Sequence, residues 1–248
     1  MAANVLSQSG RSPRRRDKPR RGIARRLFKV TGYGLLGFLA ALFLLVLVFR
    51  WVPLPTSAFI LGHKWKGGKP EYTWVAWQYI SEAMPIAVVA AEDQRFLDHR
   101  GFDFEAIKEA IKENRWRDKP RGASTLSQQV AKNLFLWHTS TWLRKGLETG
   151  LTVVIEICWP KKRILEVYLN VAQFGPRTFG VHAASRRYFG IPASRLDDRQ
   201  AALLAAVLPS PGNYSLAPPS EFVRRRADQI QQQVRLMGGP AFLAPLNE

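Results

Sequence analysis

Residues 86–101 read IAVVAAEDQRFLDHRG. An unbroken apolar run, Ile86 to Ala91, stops at two adjacent carboxylates, Glu92 and Asp93, and is followed by Phe96, Asp98, His99 and Gly101. Such a run belongs in a core. A carboxylate at the edge of a core is costly unless a partner or a reaction uses it, and neighbouring carboxylates repel. A helix end with a solvated acidic turn explains these residues as well as a site does. The rest of the chain has to separate the two.

Outward from this stretch the pattern is helical. Asp103 is placed to cap a helix carrying Phe104, Ile107, Ala110 and Ile111 at helical spacing. Residues 124–137, STLSQQVAKNLFLW, give the next helix. At about 100° per residue, Leu126, Val130, Leu134 and Trp137 fall on one side and Thr125, Gln129 and Lys132 on another, with Asn133 at the edge of that face. Further helices are expected over 141–158, after Pro160 in KKRILEVYLN, over 179–189 up to Gly190, and in AALLAAVL, where Asp197 and Gln200 form a capping box. A last amphipathic helix over 221–236 ends at Gly238-Gly239-Pro240. Convincing alternating strands are absent, so the fold class is mainly α. Short strands have room in loops such as 171–178.

The chain has 248 residues, 46% of them hydrophobic, enough for one sizeable domain. Its formal charge of +18 is unevenly placed: residues 1–29 hold ten Lys/Arg and one acid, Asp17. The next twenty residues, 30–49, VTGYGLLGFLAALFLLVLVF, carry no charge. As a helix they span about 30 Å, the thickness of a bilayer core. The excess of cations before the span places the N-terminus in the cytoplasm, and Trp51 is a candidate interfacial anchor. Val52-Pro53-Leu54-Pro55 is not a small-residue cleavage site, so an uncleaved anchor is expected rather than a signal peptide. The boundaries read as a basic tail 1–29, a transmembrane helix 30–51, a Pro-punctuated connector 52–70 and a domain 71–248. The single cysteine, Cys158, lies in the apolar run VVIEICW and reads as a buried thiol, and no His/Cys metal cluster is visible.

Three further polar groups stand out: Thr125/Gln129/Lys132, Arg144-Lys145 with Glu148, and Lys161 to Glu166 ahead of Tyr168 and Asn170. Singly, each is explained as a wet helix face, a surface ion pair or a charged helix start. Jointly, a carboxylate at a core edge can serve as a base, and a nearby Lys/Arg face can hold a diphosphate.

Five ordered motifs carry a resemblance. Glu92-Asp93, Phe96, His99 and Gly101 match ED-x-x-F-x-x-H-x-G. Gly122, Ser124, Thr125, Leu126, Ser127, Gln128, Gln129, Lys132 and Asn133 match G-G-S-T-[IL]-[TS]-Q-Q-x-x-K-N, with Ala123 in place of the second glycine. Arg144, Lys145 and Glu148 match R-K-x-x-E. Lys161 to Asn170 matches K-x-x-I-L-E-x-Y-L-N, and Gly180 to Gly190 matches G-x-x-A-A-x-x-x-Y-F-G. Over roughly residues 70–216 the chain resembles the peptidoglycan glycosyltransferases of glycosyltransferase family 51, in their monofunctional form. It has neither S-x-x-K nor K-T-G, the marks of a transpeptidase domain.

The resemblance implies a lysozyme-like, two-lobed helical domain with a cleft, behind the transmembrane helix. It implies that Glu92 is the general base on the 4-hydroxyl of the acceptor, lipid II. The donor is the growing glycan chain held as its undecaprenyl diphosphate. Inverting attack forms a β-1,4 bond and expels the lipid diphosphate. By the same resemblance Glu148 is the second catalytic carboxylate, organising the leaving group, and Lys132, Arg144 and Lys145 neutralise diphosphate charge. Asp93, His99, Ser124, Thr125, Gln129, Asn133 and Glu166 are implied on the substrate-binding side, several of them as braces of the site. No cofactor is required, although a divalent cation, Mg or Mn, assists at the diphosphate in some members. The implied partners are the lipid substrates, the membrane and other cell-wall synthesis and division proteins, not nucleic acid. The implied place is the inner membrane, with the catalytic domain in the periplasm. Two rivals stay open: a glycan-cleaving lysozyme or lytic transglycosylase, which has no use for a diphosphate-binding cation set, and a non-catalytic membrane scaffold.

Overall fold

The computed structural model describes residues 21–117, 122–137, 139 and 141–247. Most of the expected basic tail, residues 1–20, lies outside the described residues. The structure divides into two units at Leu44/Leu45. The first is dominated by helix α1 (Arg21–Val48), which begins within the basic segment. Its stretch Phe28–Val48 is long and apolar enough to cross a membrane. Side chains such as Tyr33, Leu36, Phe38 and Phe43 are exposed around it.

The second unit, residues 45–248, holds everything else. After α1 come α2 (Ala58–Trp65), α3 (Ala83–Glu92), α4 (Phe104–Glu113), α5 (Leu126–Phe135), α6 (Trp142–Cys158), α7 (Lys161–Val171), α8 (Val181–Phe189), α9 (Asp198–Val207) and α10 (Glu221–Leu236). Two short strands, β1 (Glu71–Tyr72) and β2 (Thr178–Phe179), pair in parallel, Glu71 with Thr178 and Tyr72 with Phe179. The mainly helical expectation therefore holds.

The helices sort into two packed groups. In one, α3 lies against α9 and α10. Residues Ala83–Ala90 of α3 and Ala201–Val207 of α9 are all buried. Helices that are apolar all round belong in an interior. Helix α10 covers them with the stripe Val223, Ala227 and Ile230. In the other group, α5 packs on α2, α6 and α7. Helix α7 buries Ile164, Leu165, Tyr168 and Leu169, each worth roughly 1.5–3 kcal/mol of transfer free energy. The loop from Asp93 to Gly101 and the start of α5 join the two groups.

Several boundaries differ from the sequence expectation, each for a physical reason. The expected connector contains α2, capped by Ser57, whose hydroxyl accepts from the Ile60 amide. Eight residues are too few to show a period, and packing on α5 stabilises them. Helix α5 stops at Phe135 because Leu136 is extended, which leaves Trp137 outside the helix and exposed. Helix α8 begins at Val181, not 179. Gly180 has φ +81°, and a Cβ there would stand 2.4 Å from the Asn170 carbonyl oxygen, so the chain turns at that residue and Thr178–Phe179 pair as a strand. The capping box at Asp197/Gln200, the Asp103 cap and the burial of Cys158 are as expected.

The start of the second unit is tied down by polar contacts. Trp159 Nε1 donates to the Val46 carbonyl at 2.7 Å, and Arg50 donates to the Cys158 carbonyl at 2.5 Å. The Arg163 guanidinium donates to the carbonyls of Phe49 and Val52 while pairing with Glu166 at 2.6 Å. These donors satisfy carbonyls that a helix end leaves without intrahelical partners.

Candidate active site

The paired carboxylates of residues 92 and 93 face different ways. Asp93 is buried. Its Oδ2 accepts from the Leu126 amide at 2.9 Å, at the first turn of α5, and its Oδ1 pairs with His99 Nε2 at 2.9 Å. A carboxylate at a helix N-terminus meets unpaired amides and the positive end of the helix dipole. Asp93 thus fastens the end of α3 to the start of α5. Glu92, the last residue of α3, turns to the cleft instead. Its Oε2 accepts from Gln129 Nε2 at 2.8 Å, and Gln129 Oε1 in turn accepts from the fully buried Tyr168 hydroxyl at 3.2 Å. The Tyr168–Gln129 pair fixes which end of the amide meets Glu92.

Burial raises the Glu92 carboxyl above its ordinary value; the hydrogen bond from Gln129 and the charges of Arg226 and Lys132 oppose the rise, and Asp93 adds to it. Burial lowers the Lys132 ammonium. Glu148 and Glu92 hold it up, while Arg144 and Lys145 push it further down. Lys132 is therefore the electrostatic link between the two glutamates. Among the described residues no carboxylate lies within ion-pair distance of it. Its only described ring contact is with Phe59 of α2, 5.9 Å from the centroid.

Glu148 is 2% exposed and is held from both sides: Arg144 Nη1 donates to Oε2 at 2.7 Å and Lys145 Nζ to Oε1. This is not the exposed ion pair that the spacing alone allows. Arg144 is itself buried, and its Nε has no hydrogen-bond partner among the described residues. Such an orphan donor is costly inside a protein and is available to an anion.

The remaining expected site residues separate in space. Thr125 is not on the Gln129/Lys132 face. It is the N-cap of α5, where backbone angles are not helical and a 100° count does not apply. Its hydroxyl donates to the Gly101 carbonyl at 2.7 Å, and with Gln128 it forms a capping box. Gly101 sits at φ +89°, and a Cβ there would come within 2.8 Å of Thr152 Cγ2. Ser124 is exposed and lines a cavity with Glu92, Asp93, Arg95, Asp103 and Glu109. Asn133 is buried one turn after Gln129. Glu166 points away from the cleft: its Oε1 accepts from the Trp77 amide at 2.8 Å and its Oε2 from Arg163. Asn170 beside it grips the Val75 backbone from both sides, accepting from N at 2.8 Å and donating to O at 2.9 Å.

Sequence reasoning missed two contributors. Glu156 accepts from Ser127 and from Lys161, binding α6 to α5 and α7. Arg226 of α10 donates to the Ala91 carbonyl at 3.2 Å, next to Glu92. No local pattern announces either.

The residues do not form a ready site for a protein-held divalent cation. Among the described residues no three His, Cys, Asp or Glu side chains cluster, and both Glu148 oxygens are taken by cations.

The site thus sets a desolvated carboxylate, met by an amide, beside a cationic group built around a second carboxylate. The chain belongs to the family whose model is described as "Transglycosylase", which matches residues 62–235. Among its relatives is a biosynthetic peptidoglycan transglycosylase of Pseudomonas putida strain F1, 50% identical over 219 residues, 86% of this chain and 93% of the relative. A protein of that description from Pseudomonas aeruginosa strain PAO1 is 49% identical, covering 91% and 98%. One from Pasteurella multocida strain Pm70 is 48% identical, covering 86% and 88%.

Proposed function

We propose that this protein is a peptidoglycan glycosyltransferase that polymerises lipid II into glycan strands without transpeptidase activity. The observation that carries the chemistry is the Glu92–Gln129 contact at 2.8 Å beside Lys132. Glu92 takes the proton of the acceptor 4-hydroxyl as that oxygen attacks the anomeric carbon of the donor. The bond to the lipid diphosphate breaks with inversion. Lys132, Arg144 and Lys145, kept in place by Glu148, receive the departing charge. A hydrolase of neutral glycosidic bonds has no use for that cation group. Purified full-length protein in detergent should convert lipid II into long glycan that a muramidase digests. Cleavage of preformed glycan without polymer formation would reject the proposal in favour of a lytic enzyme.

Lys132→Met and Arg144→Ala test the diphosphate side. Each removes a charge-assisted contact worth about 1.5–3 kcal/mol, so turnover should fall roughly 10- to 100-fold. Affinity for a diphosphate-containing donor analogue should fall with it. Lys132→Met also removes a desolvated ammonium, so its thermal stability should hold. Wild-type binding and turnover in both variants would reduce these cations to structural ion pairs.

The protein is anchored by one N-terminal crossing, with its N-terminus in the cytoplasm and its catalytic unit in the periplasm. The cation excess before the apolar helix supports this orientation. A reporter fused after Glu248 should be active only in the periplasm; cytoplasmic activity would overturn the topology.

A further inference from the structure

Helix α3 ends in the cleft, and its last carbonyls need partners. The Val89 carbonyl accepts from the Asp93 amide at 2.9 Å, and the Ala90 carbonyl from Gln94 Nε2 at 3.1 Å. The Ala91 carbonyl, next to Glu92, accepts from Arg226 Nη2 at 3.2 Å across 135 residues of sequence. Arg226 reaches it because α10 lays Val223, Ala227 and Ile230 on the core, which leaves position 226 at the rim beside α3. The carboxyl end of a helix carries partial negative charge, which disfavours ionisation of a glutamate placed there. A guanidinium bound to that end cancels the effect and cannot lose its own proton.

We infer that Arg226 is a positioning residue for Glu92: it closes the end of α3 through the Ala91 carbonyl and sets a permanent positive charge beside the Glu92 carboxyl, keeping it aimed at the cleft. This rests on the assignment of Glu92 as general base. The other groups facing Glu92 cannot substitute for it. Gln129 of α5 is neutral. Lys132 of α5 is itself desolvated and shared with Glu148. Tyr168 of α7 is pushed well above its ordinary value by burial and by Glu92 and Asp93, and stays neutral. Asp93, at the end of α3, works in the opposite direction. Arg95, Asp103 and Glu109 line the open side of the cavity.

The sign follows from the charges. Burial already raises Glu92, and Arg226 pulls it back. Without the guanidinium the acidic limb of the rate profile must move to higher pH. The experiment is kcat against pH with lipid II for wild type, Arg226→Gln, Arg226→Lys and Glu92→Gln, with thermal melting of each. Arg226→Gln should lose about tenfold in kcat below the limb, recover as pH rises, and keep KM within about twofold. Arg226→Lys should restore most of the rate and the limb. An Arg226→Gln limb at the wild-type pH, or a loss uniform across pH, would overturn the inference and leave Arg226 a packing residue. If Arg226→Gln does not fold, infrared titration of the Glu92 carboxyl in wild type and Arg226→Met decides it: the carboxyl should be raised in Arg226→Met, and an unchanged value would overturn the inference. Substantial turnover by folded Glu92→Gln is a separate failure, of the base assignment itself. In that case an Arg226-dependent limb that persists in the Glu92→Gln, Arg226→Gln double variant would refute the link between the two residues.

Discussion

Glu92→Gln should abolish polymerisation, by about 10²–10⁴-fold or more, in a protein that folds at least as well as wild type. Glutamine keeps the shape and can still accept from Gln129, but it cannot take a proton. The stability half of the prediction comes from linkage. Burial raises the Glu92 carboxyl in the folded state, so between its unfolded and folded values the native protein binds more protons than the unfolded chain. Wild-type stability therefore falls as pH rises through that window. The variant has no such slope, and near neutral pH its melting temperature should equal or exceed that of wild type. Rates measured with lipid II, with melting scans at two pH values, check both halves. Near-normal turnover by the folded variant would reject Glu92 as the base.

Glu148→Gln should be nearly as damaging to activity, about 100-fold or more, but should also cost stability. Both Glu148 oxygens accept from cations, and an amide has one acceptor to offer, so its NH2 group must face Arg144 or Lys145. Breaking a buried ion pair costs about 3–5 kcal/mol. The Arg144 side is the sheltered one and carries most of that cost. Lys145 is 41% exposed, and solvent screens its share. Displaced, the two cations no longer meet the leaving diphosphate, so donor affinity should fall together with kcat. A stable Glu148→Gln protein with turnover within threefold of wild type would show that Glu148 organises nothing the reaction needs. The pairing of effects separates the two glutamates: loss of chemistry without loss of stability at 92, loss of both at 148.

Much of this was readable in the chain itself. The burial of the apolar run 86–91, the caps at Asp103 and Asp197, and the apolar faces of α7 and α10 follow from composition, period and capping chemistry, which act within a few residues. The charge-free span after a basic segment gives, by length alone, a helix long and apolar enough to cross a membrane. The motifs place Glu92, Lys132, Arg144, Lys145 and Glu148 in order, and a local i,i+4 count brings Arg144 to Glu148. What the sequence could not decide is which way a polar side chain turns, because that depends on groups distant in the chain. Glu92 and Asp93 are adjacent and chemically alike. The first turn of α5 and His99 draw Asp93 inward, and Gln129, itself held by Tyr168, meets Glu92 in the cleft. Thr125 and Glu166 stand in the motifs beside the cleft residues, yet Thr125 caps α5 locally and holds the distant Gly101 carbonyl, and Glu166 turns to the Trp77 backbone. Arg226 carries no motif signal, and its place beside Glu92 exists only once α10 has packed on α3. Local periodicity and capping fix the helices; the assignment of charge to cleft or to core waits for long-range packing, since burial and neighbouring charges arise only in the assembled fold.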